Sequence, residues 1–173
     1  MRIAIAIAVG LMLSSCEGVT NGDPLLGGGA LEGGVTKSTN VLSIVVAPTA
    51  QTAGFADDPS IEGDGSTQII SDDDYRIVID MADYPIDLAD AEAIRLSDRD
   101  ARVLRRTSED GGNTGRVIFP SASSSSGVMP PNIAWSCANE EACDVAETTI
   151  GSVEIEWGLL EGNAPPPEAQ PLD

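Results

Sequence analysis

The chain contains no histidine, and this absence removes many classes of enzyme. Ser-His-Asp triads, Cys-His pairs and histidine-ligated metal centres all require an imidazole, so none can be built within this chain. Aromatic residues make up only 3% of the sequence, so the core must be built mainly from Ile, Val and Leu. Trp135 and Trp157 lie in alternating segments beside apolar neighbours, which favours core packing over a ligand-stacking surface.

Lysine is almost absent as well: Lys37 is the single one, and every other cation is arginine. The formal net charge is −19. Removal of residues 1–15 would take away one of nine basic residues and none of the twenty-eight acidic ones, which leaves 8 − 28 = −20. Such a charge repels phosphate backbones and attracts cations or basic proteins, so nucleic acid is excluded as a partner.

No apolar run approaches the length of about eighteen residues that a membrane-spanning helix requires. The longest run occupies residues 3–13, directly after the positive charge of Arg2. A short apolar run behind a positive residue near the amino terminus is typical of an export signal that is removed from the mature protein. Everything after this signal is therefore predicted to lie outside the cytoplasm without crossing a membrane.

The four residues that close this run are Leu13-Ser14-Ser15-Cys16. They resemble the bacterial lipobox, which implies cleavage before Cys16, diacylglycerol on its sulfur and a fatty acyl group such as palmitate on the new amino terminus. Several acyl chains together give stable membrane attachment. Glu17, rather than an aspartate, follows the cysteine, which resembles the class exported to the outer membrane of two-membraned bacteria. The alternative is an ordinary secretory signal cleaved at a different site near Cys16.

Composition divides the chain into four parts. Residues 1–15 form the signal peptide, and residues 16–40 hold the lipidated cysteine and a glycine-rich tether. Residues 41–160 form one domain, and the proline-rich residues 161–173 form a disordered tail. A flexible tether of this length would hold the domain on the order of 27 Å from the lipid.

Hydrophobic residues recur with a period of two through most of the predicted domain, as half-buried strands require. The predicted strands are residues 41–47, 68–71, 75–81, 93–97, 102–107, 116–119, 133–137 and 153–157. Turn-forming residues at 98–101 and 111–115 would close two hairpins. This pattern predicts an all-β fold, an antiparallel β-sandwich of broadly immunoglobulin-like shape, with a small β-barrel as the alternative. Residues 87–94 are the exception, since they could form a short helix with Asp87 as its N-cap, or a loop.

Two cysteines remain after the lipidation site, Cys137 and Cys143. An exported compartment favours their oxidation, and the acidic, turn-forming residues between them suit a local disulfide. Redox exchange motifs usually place two residues between their cysteines, which makes a catalytic pair the weaker hypothesis. Two thiolates without histidine cannot complete a tetrahedral zinc site.

Acidic residues cluster on both sides of one short predicted strand, and their oxygens are the ligands that calcium prefers. The candidate ligands are Asp57, Asp58, Asp64, Asp72, Asp73 and Asp74. Their spacing matches no EF-hand or glycine-rich calcium repeat, so a solvated acidic face is the competing interpretation. Calcium is the one cofactor that the sequence suggests.

Most of the cations lie in a single predicted hairpin of this acidic chain. They are Arg95, Arg99, Arg102, Arg105 and Arg106. One interpretation is internal neutralisation by nearby carboxylates. The other is a docking strip that binds carboxylates on a cell-envelope protein or glycan.

These observations favour a membrane-anchored, exported lipoprotein with a non-catalytic binding or structural β-domain. The alternative is a carboxylate-dependent hydrolase of the cell envelope, since acidic residues are plentiful. No particular pair of carboxylates stands out, so the sequence assigns no catalytic residue.

Overall fold

A computed structural model describes residues 30–56, 67–81, 87–107, 112–120, 129 and 131–160. Within these ranges the chain forms ten strands and two helices. The strands are β1 (Val35–Ser38), β2 (Leu42–Val46), β3 (Gln51–Ala53), β4 (Thr67–Ser71), β5 (Tyr75–Asp80), β6 (Glu92–Leu96), β7 (Arg99–Thr107), β8 (Asn113–Ile118), β9 (Asn132–Cys137) and β10 (Glu154–Ile155). The helices are α1 (Glu140–Gly151) and α2 (Trp157–Leu160).

The strands form two antiparallel sheets. The small sheet has the order β1-β2-β10, and the large sheet has the order β3-β4-β5-β9-β8-β7-β6. Neighbouring strands in both sheets run antiparallel. The predicted antiparallel β-sandwich is therefore confirmed, and the described strands do not close into the small barrel that was its alternative.

One hydrophobic core lies between the inner face of the large sheet and a second layer, which consists of the small sheet and α1. Ile77 of the large sheet, Ile44 of the small sheet and Ile150 of the helix are each at most 1% exposed. The register explains this burial, because Ile77 pairs with Ile70 on one side and with Trp135 on the other. Alternation of side chains along each strand leaves the intervening residues on the outer face.

Most predicted strands are found within a few residues of their expected bounds. The exception is the prediction for 153–157, of which only Glu154–Ile155 is a strand. Trp157 instead opens α2 and donates its indole Nε1–H to the carbonyl of Ser97 at 2.8 Å. Its ring meets Phe119 edge-on, with centroids 5.0 Å apart. Trp135 is 4% exposed, so both tryptophans pack against the core as predicted.

The helix considered for residues 87–94 is wrong. The amide of Ala89 bonds to the Asp87 carboxylate at 3.0 Å, so Asp87 closes a turn, and β6 follows from Glu92. Ile94 and Leu96 are both buried on the inner face by pairing with β7. Alternation along a strand places both in the core, as the predicted strand at 93–97 requires.

The β6–β7 hairpin is also tighter than the predicted turn at 98–101. Leu96 pairs directly with Arg99, so the turn consists of Ser97 and Asp98 alone. Both have positive φ, 48° and 61°, as the two central residues of a type I′ turn require. This turn matches the twist of the flanking strands, which allows β7 to begin three residues earlier than predicted.

Helix α1 was not predicted, since residues after Cys137 were interpreted as an acidic loop. Asn139 is the N-cap and accepts a hydrogen bond from the amide of Ala142 at 2.9 Å. Glu140 and Glu141 occupy the first turn, where carboxylates stabilise the positive end of the helix dipole. The buried residues recur with helical spacing at Ala142, Ala146, Thr149 and Ile150.

The boundary of the predicted tether at residue 40 is also too late. β1 lies inside the segment 16–40 and pairs with β2 from Val35 to Ser38. The signal peptide, Cys16, most of the tether and the tail at 161–173 lie outside the described residues, so those predictions remain predictions.

Neither helix in the described part of the chain has the length and hydrophobicity that a membrane-spanning helix requires.

The predicted disulfide joins Cys137 at the end of β9 to Cys143 in the first turns of α1. Their Cα atoms are 5.2 Å apart, within the usual range for a disulfide. The disulfide links α1 covalently to β9 of the large sheet.

We expect the double variant Cys137→Ser/Cys143→Ser to lose about 2 kcal/mol of unfolding free energy, because the bridge closes a short loop and restricts the unfolded chain. Urea unfolding of the wild type with and without reductant, beside the double variant, measures this. Reductant should destabilise only the wild type. Full alkylation of both thiols without reductant, in protein produced under oxidising conditions, would disprove the bridge.

Candidate binding groove

The outer face of the large sheet carries most of the positive charge of the chain. Eight cations follow Cys16, and five of them occupy outward positions on β5, β6, β7 and β8. These five are Arg76, Arg95, Arg102, Arg106 and Arg116. Asp80 and Asp100 occupy outward positions on the same face, which leaves it with a local excess of positive charge although the whole chain is strongly acidic.

Strand register places these side chains in rows across the sheet. One row runs from Arg76 through Ser136 and Thr114 to Arg106, each residue on a neighbouring strand. The ends of this row are three strand spacings apart, which is about 14 Å. The next row carries Val78, Ala134, Arg116 and Leu104 in the same order of strands.

These two rows line an open groove of about 570 Å³, which we call the arginine groove. Its floor contains the aliphatic side chains of Val78, Ala134 and Leu104, all partly buried. Arg76 and Arg106 are exposed at its ends, and Asp87 is the one carboxylate residue in its described lining. Apolar surface with a few well-placed charged groups is typical of a ligand-binding surface.

Arg76 and Arg106 differ from the other arginines in their surroundings. Among the described residues, no carboxylate lies within 4.0 Å of either guanidinium. Arg102 and Arg95 donate to backbone carbonyls, those of Ala91 at 3.4 Å and Asp98 at 3.3 Å. Internal neutralisation therefore does not account for the two arginines at the ends of the groove.

Arg105 is neutralised internally by nearby carboxylates, as one of the two interpretations of the sequence predicted. It pairs with Gly115 on the inner side of the sheet and reaches α1, where its Nε and Nη2 donate to the two Glu147 oxygens at 2.8 and 2.9 Å. Its Nη1 donates to Glu92 at 3.1 Å. The hydrogen bond to Glu147 is the main reason that the pKa of Arg105 is raised. Arg105 thus joins β7 to the helix and to β6.

The predicted strip of five arginines is consequently divided between two sides of the sheet. Arg95, Arg102 and Arg106 lie on the outer face, while Arg105 faces α1 and Arg99 lies 5.1 Å above the Trp157 ring. The structure adds two arginines from outside that hairpin, Arg76 and Arg116. Their alternation with Tyr75, Ile77 and Val117 already indicated outward positions. The sequence alone could not show that β9 would pair with both β5 and β8, which places Arg76 and Arg106 in one row.

We expect Arg105→Ala to lower the unfolding free energy by about 1 kcal/mol, because this partly exposed pair holds α1 to the sheet. Arg106→Ala is the matched control on the next residue and should change stability by less than about 0.5 kcal/mol. Thermal and urea unfolding of both variants measures this, and added salt should reduce the effect of Arg105→Ala. Equal destabilisation by both changes would show that Arg106 is also an internal pairing residue.

A second depression of about 460 Å³ adjoins the arginine groove and shares Arg76, Thr114 and Ser136 with it. Its far end is lined by Asp72, Asp73 and Asp74 in the β4–β5 turn. Burial, with a contribution from the charge of Asp72, raises the pKa of Tyr75 in this depression. Both effects disfavour the phenolate form of Tyr75.

The candidate calcium site is only partly described. Asp57, Asp58 and Asp64 lie outside the described residues. Asp72 accepts from the Thr49 hydroxyl and from the amide of Asp73, both at 2.8 Å, which is the bonding of a turn. In the described ranges, no three acidic or cysteine side chains are grouped as a metal ion would need. Calcium binding stays a prediction from the sequence.

Comparison of the chain with protein-family models, with curated proteins and with solved structures gives no match.

Proposed function

We propose that this chain is a lipid-anchored, exported protein whose β-domain is non-catalytic and binds an anionic partner in the cell envelope through the arginine groove. The observation that carries the proposal is the pair of exposed arginines at the two ends of the groove, Arg76 and Arg106, which no described carboxylate neutralises. The lipobox resemblance at Cys16 supports the anchored, exported location.

Electrostatics supports a binding role for this face. Like charges on one face repel each other, and a chain with twenty-eight acidic residues has many carboxylates with which to neutralise them. Arg105 is neutralised in this way, but Arg76 and Arg106 are not paired with any described carboxylate. A complementary anionic partner would supply the missing counter-charge and would fix the register of docking.

The chemistry of the groove supports binding over hydrolysis. Guanidinium groups stay protonated at all physiological pH values, so they cannot act as a general acid or base. Glycoside hydrolysis commonly uses two facing carboxylates, whereas the described lining holds one carboxylate, Asp87. The groove can therefore orient and hold an anion, but these groups offer no route for proton transfer.

Co-purification from detergent-solubilised membranes tests the proposal. Epitope-tagged wild type should retain a discrete partner through washing at about physiological salt, and the variant Arg76→Gln/Arg106→Gln should lose it. The control variant Lys37→Gln/Arg95→Gln removes the same number of charges outside the groove lining and should retain it. Retention by all three proteins would exclude the groove as the binding surface. The absence of any discrete partner in the wild type would exclude a binding role of this kind.

A further inference from the structure

We infer that the arginine groove binds an extended, acidic polypeptide segment of about four to six residues; this inference rests on the proposed function and names the class of partner. The spacing of the cations, the character of the floor and the acidic boundary of the groove each support it.

The spacing of Arg76 and Arg106 determines how far apart the anionic groups of the ligand must be. The two residues are separated by three strand spacings, about 14 Å. A single small carboxylate cannot reach both. An extended polypeptide advances about 3.4 Å per residue, so acidic side chains about four positions apart match this separation.

The surface between the two arginines suits a polypeptide backbone. Ser136 and Thr114 lie side by side in the same row, and both are exposed. The Ser136 hydroxyl can donate to a carbonyl or accept from an amide of a chain that crosses the strands, and the Thr114 hydroxyl, which donates to the Arg106 carbonyl at 3.5 Å, can accept from an amide. Guanidinium groups at both ends of the row can form two parallel hydrogen bonds with a carboxylate.

The floor of the groove favours a polypeptide over an acidic glycan. Val78, Leu104 and Ala134 offer aliphatic surface to the methylene groups of glutamate or to neighbouring apolar side chains. A sugar ring would find no exposed aromatic side chain to stack on among the described lining residues. The one aromatic residue in the described lining is Trp135, which is 4% exposed and projects to the inner side of the sheet.

Acidic residues limit where the ligand can lie. Asp72, Asp73 and Asp74 line the adjoining depression, which shares Arg76, Thr114 and Ser136 with the arginine groove. Carboxylates of a ligand that entered this depression would be repelled, so an acidic ligand is confined to the groove. Asp87 also lines the groove, and charges farther than about 8 Å from it are largely screened at physiological salt.

Fluorescence anisotropy with the full mature protein in detergent and labelled hexaglutamate tests the inference. We expect saturable binding of hexaglutamate, weaker binding of triglutamate because it spans only about 10 Å, and no binding of hexalysine. Arg76→Gln/Arg106→Gln should weaken hexaglutamate binding at least about tenfold, and Lys37→Gln/Arg95→Gln less than about twofold. The ratio between wild-type and groove-variant affinities should fall as salt rises, because local charge pairs are screened.

Two competing probes, an oligogalacturonate and tripolyphosphate, separate the polypeptide from other anions. Tighter binding of either probe than of hexaglutamate, or equal losses in the groove and control variants, would overturn the inference. Failure of hexaglutamate to bind, with partner co-purification still dependent on Arg76 and Arg106, would overturn the polypeptide assignment alone. Failure of both measurements would overturn the proposed function as well. Circular dichroism and melting midpoints of all variants should match the wild type, since the substituted residues are not buried.

Discussion

Gly115→Ala is expected to lower the unfolding free energy by about 3 kcal/mol, the largest effect of any single substitution considered for the domain. Gly115 lies in β8 opposite Trp135 of β9, and a Cβ atom at this position would overlap the indole ring. The ring is 4% exposed and packed in the core, so it cannot move aside without disturbing its neighbours.

A double-mutant cycle with Trp135→Leu tests whether overlap with the indole ring causes the destabilisation by Gly115→Ala. Trp135→Leu alone should destabilise by leaving a cavity, but adding Gly115→Ala to it should cost much less than in the wild type. Thr114→Ala is the control on the adjacent, exposed position of the same strand. Strictly additive effects in the cycle would rule out the overlap with Trp135 as the reason. Because Gly115 lies between Thr114 and Arg116, the same substitution should also weaken ligand binding in the arginine groove.

Cys16→Ala is expected to abolish lipid labelling completely and to leave an unprocessed or misplaced precursor. The reason is chemical, since the lipobox resemblance assigns the diacylglycerol to the sulfur of Cys16, and alanine has no nucleophile to accept it. Metabolic labelling with a palmitate analogue, followed by separation of membrane and soluble fractions, measures the effect.

The control for this experiment is Cys137→Ser/Cys143→Ser, which leaves Cys16 as the only cysteine and should retain full labelling. Continued labelling of Cys16→Ala would contradict the lipoprotein assignment. A wild type that is processed and secreted without any label would instead support the ordinary secretory signal.

Sequence periodicity was sufficient to predict most strands of the sheets but not helix α1. Strands such as β5 and β9 alternate clearly between apolar and polar residues, because each has one face in the core and one outside. In α1 the apolar positions are small, with Ala142 and Ala146 buried beside Thr149, so the helical pattern is weak by hydropathy alone. Asn139 followed by two glutamates is the stronger sequence signal for the start of this helix.

The arginine groove shows what local sequence cannot supply. The hairpin of β6 and β7 was predicted, and with it the cluster of arginines. Whether neighbouring arginines cooperate depends on which face each occupies and on which strands lie beside them. Arg105 and Arg106 are adjacent in sequence but face opposite sides, whereas Arg76 and Arg106 are thirty residues apart and end the same row. The order of strands in the sheet determines which arginines lie in the same row. That order depends on long-range strand pairing, which no local sequence pattern encodes.

Site-specific photo-cross-linking in living cells tests whether a partner binds to the arginine groove. A photoreactive residue replaces Ser136 in the centre of the arginine groove, or Glu141 on the exposed side of α1 as the control site. We expect a discrete cross-linked product from position 136, its loss when Arg76→Gln/Arg106→Gln is added, and no matching product from position 141. A product that forms equally from both positions, or that persists without the two arginines, would contradict the claim that this sheet face is the binding surface.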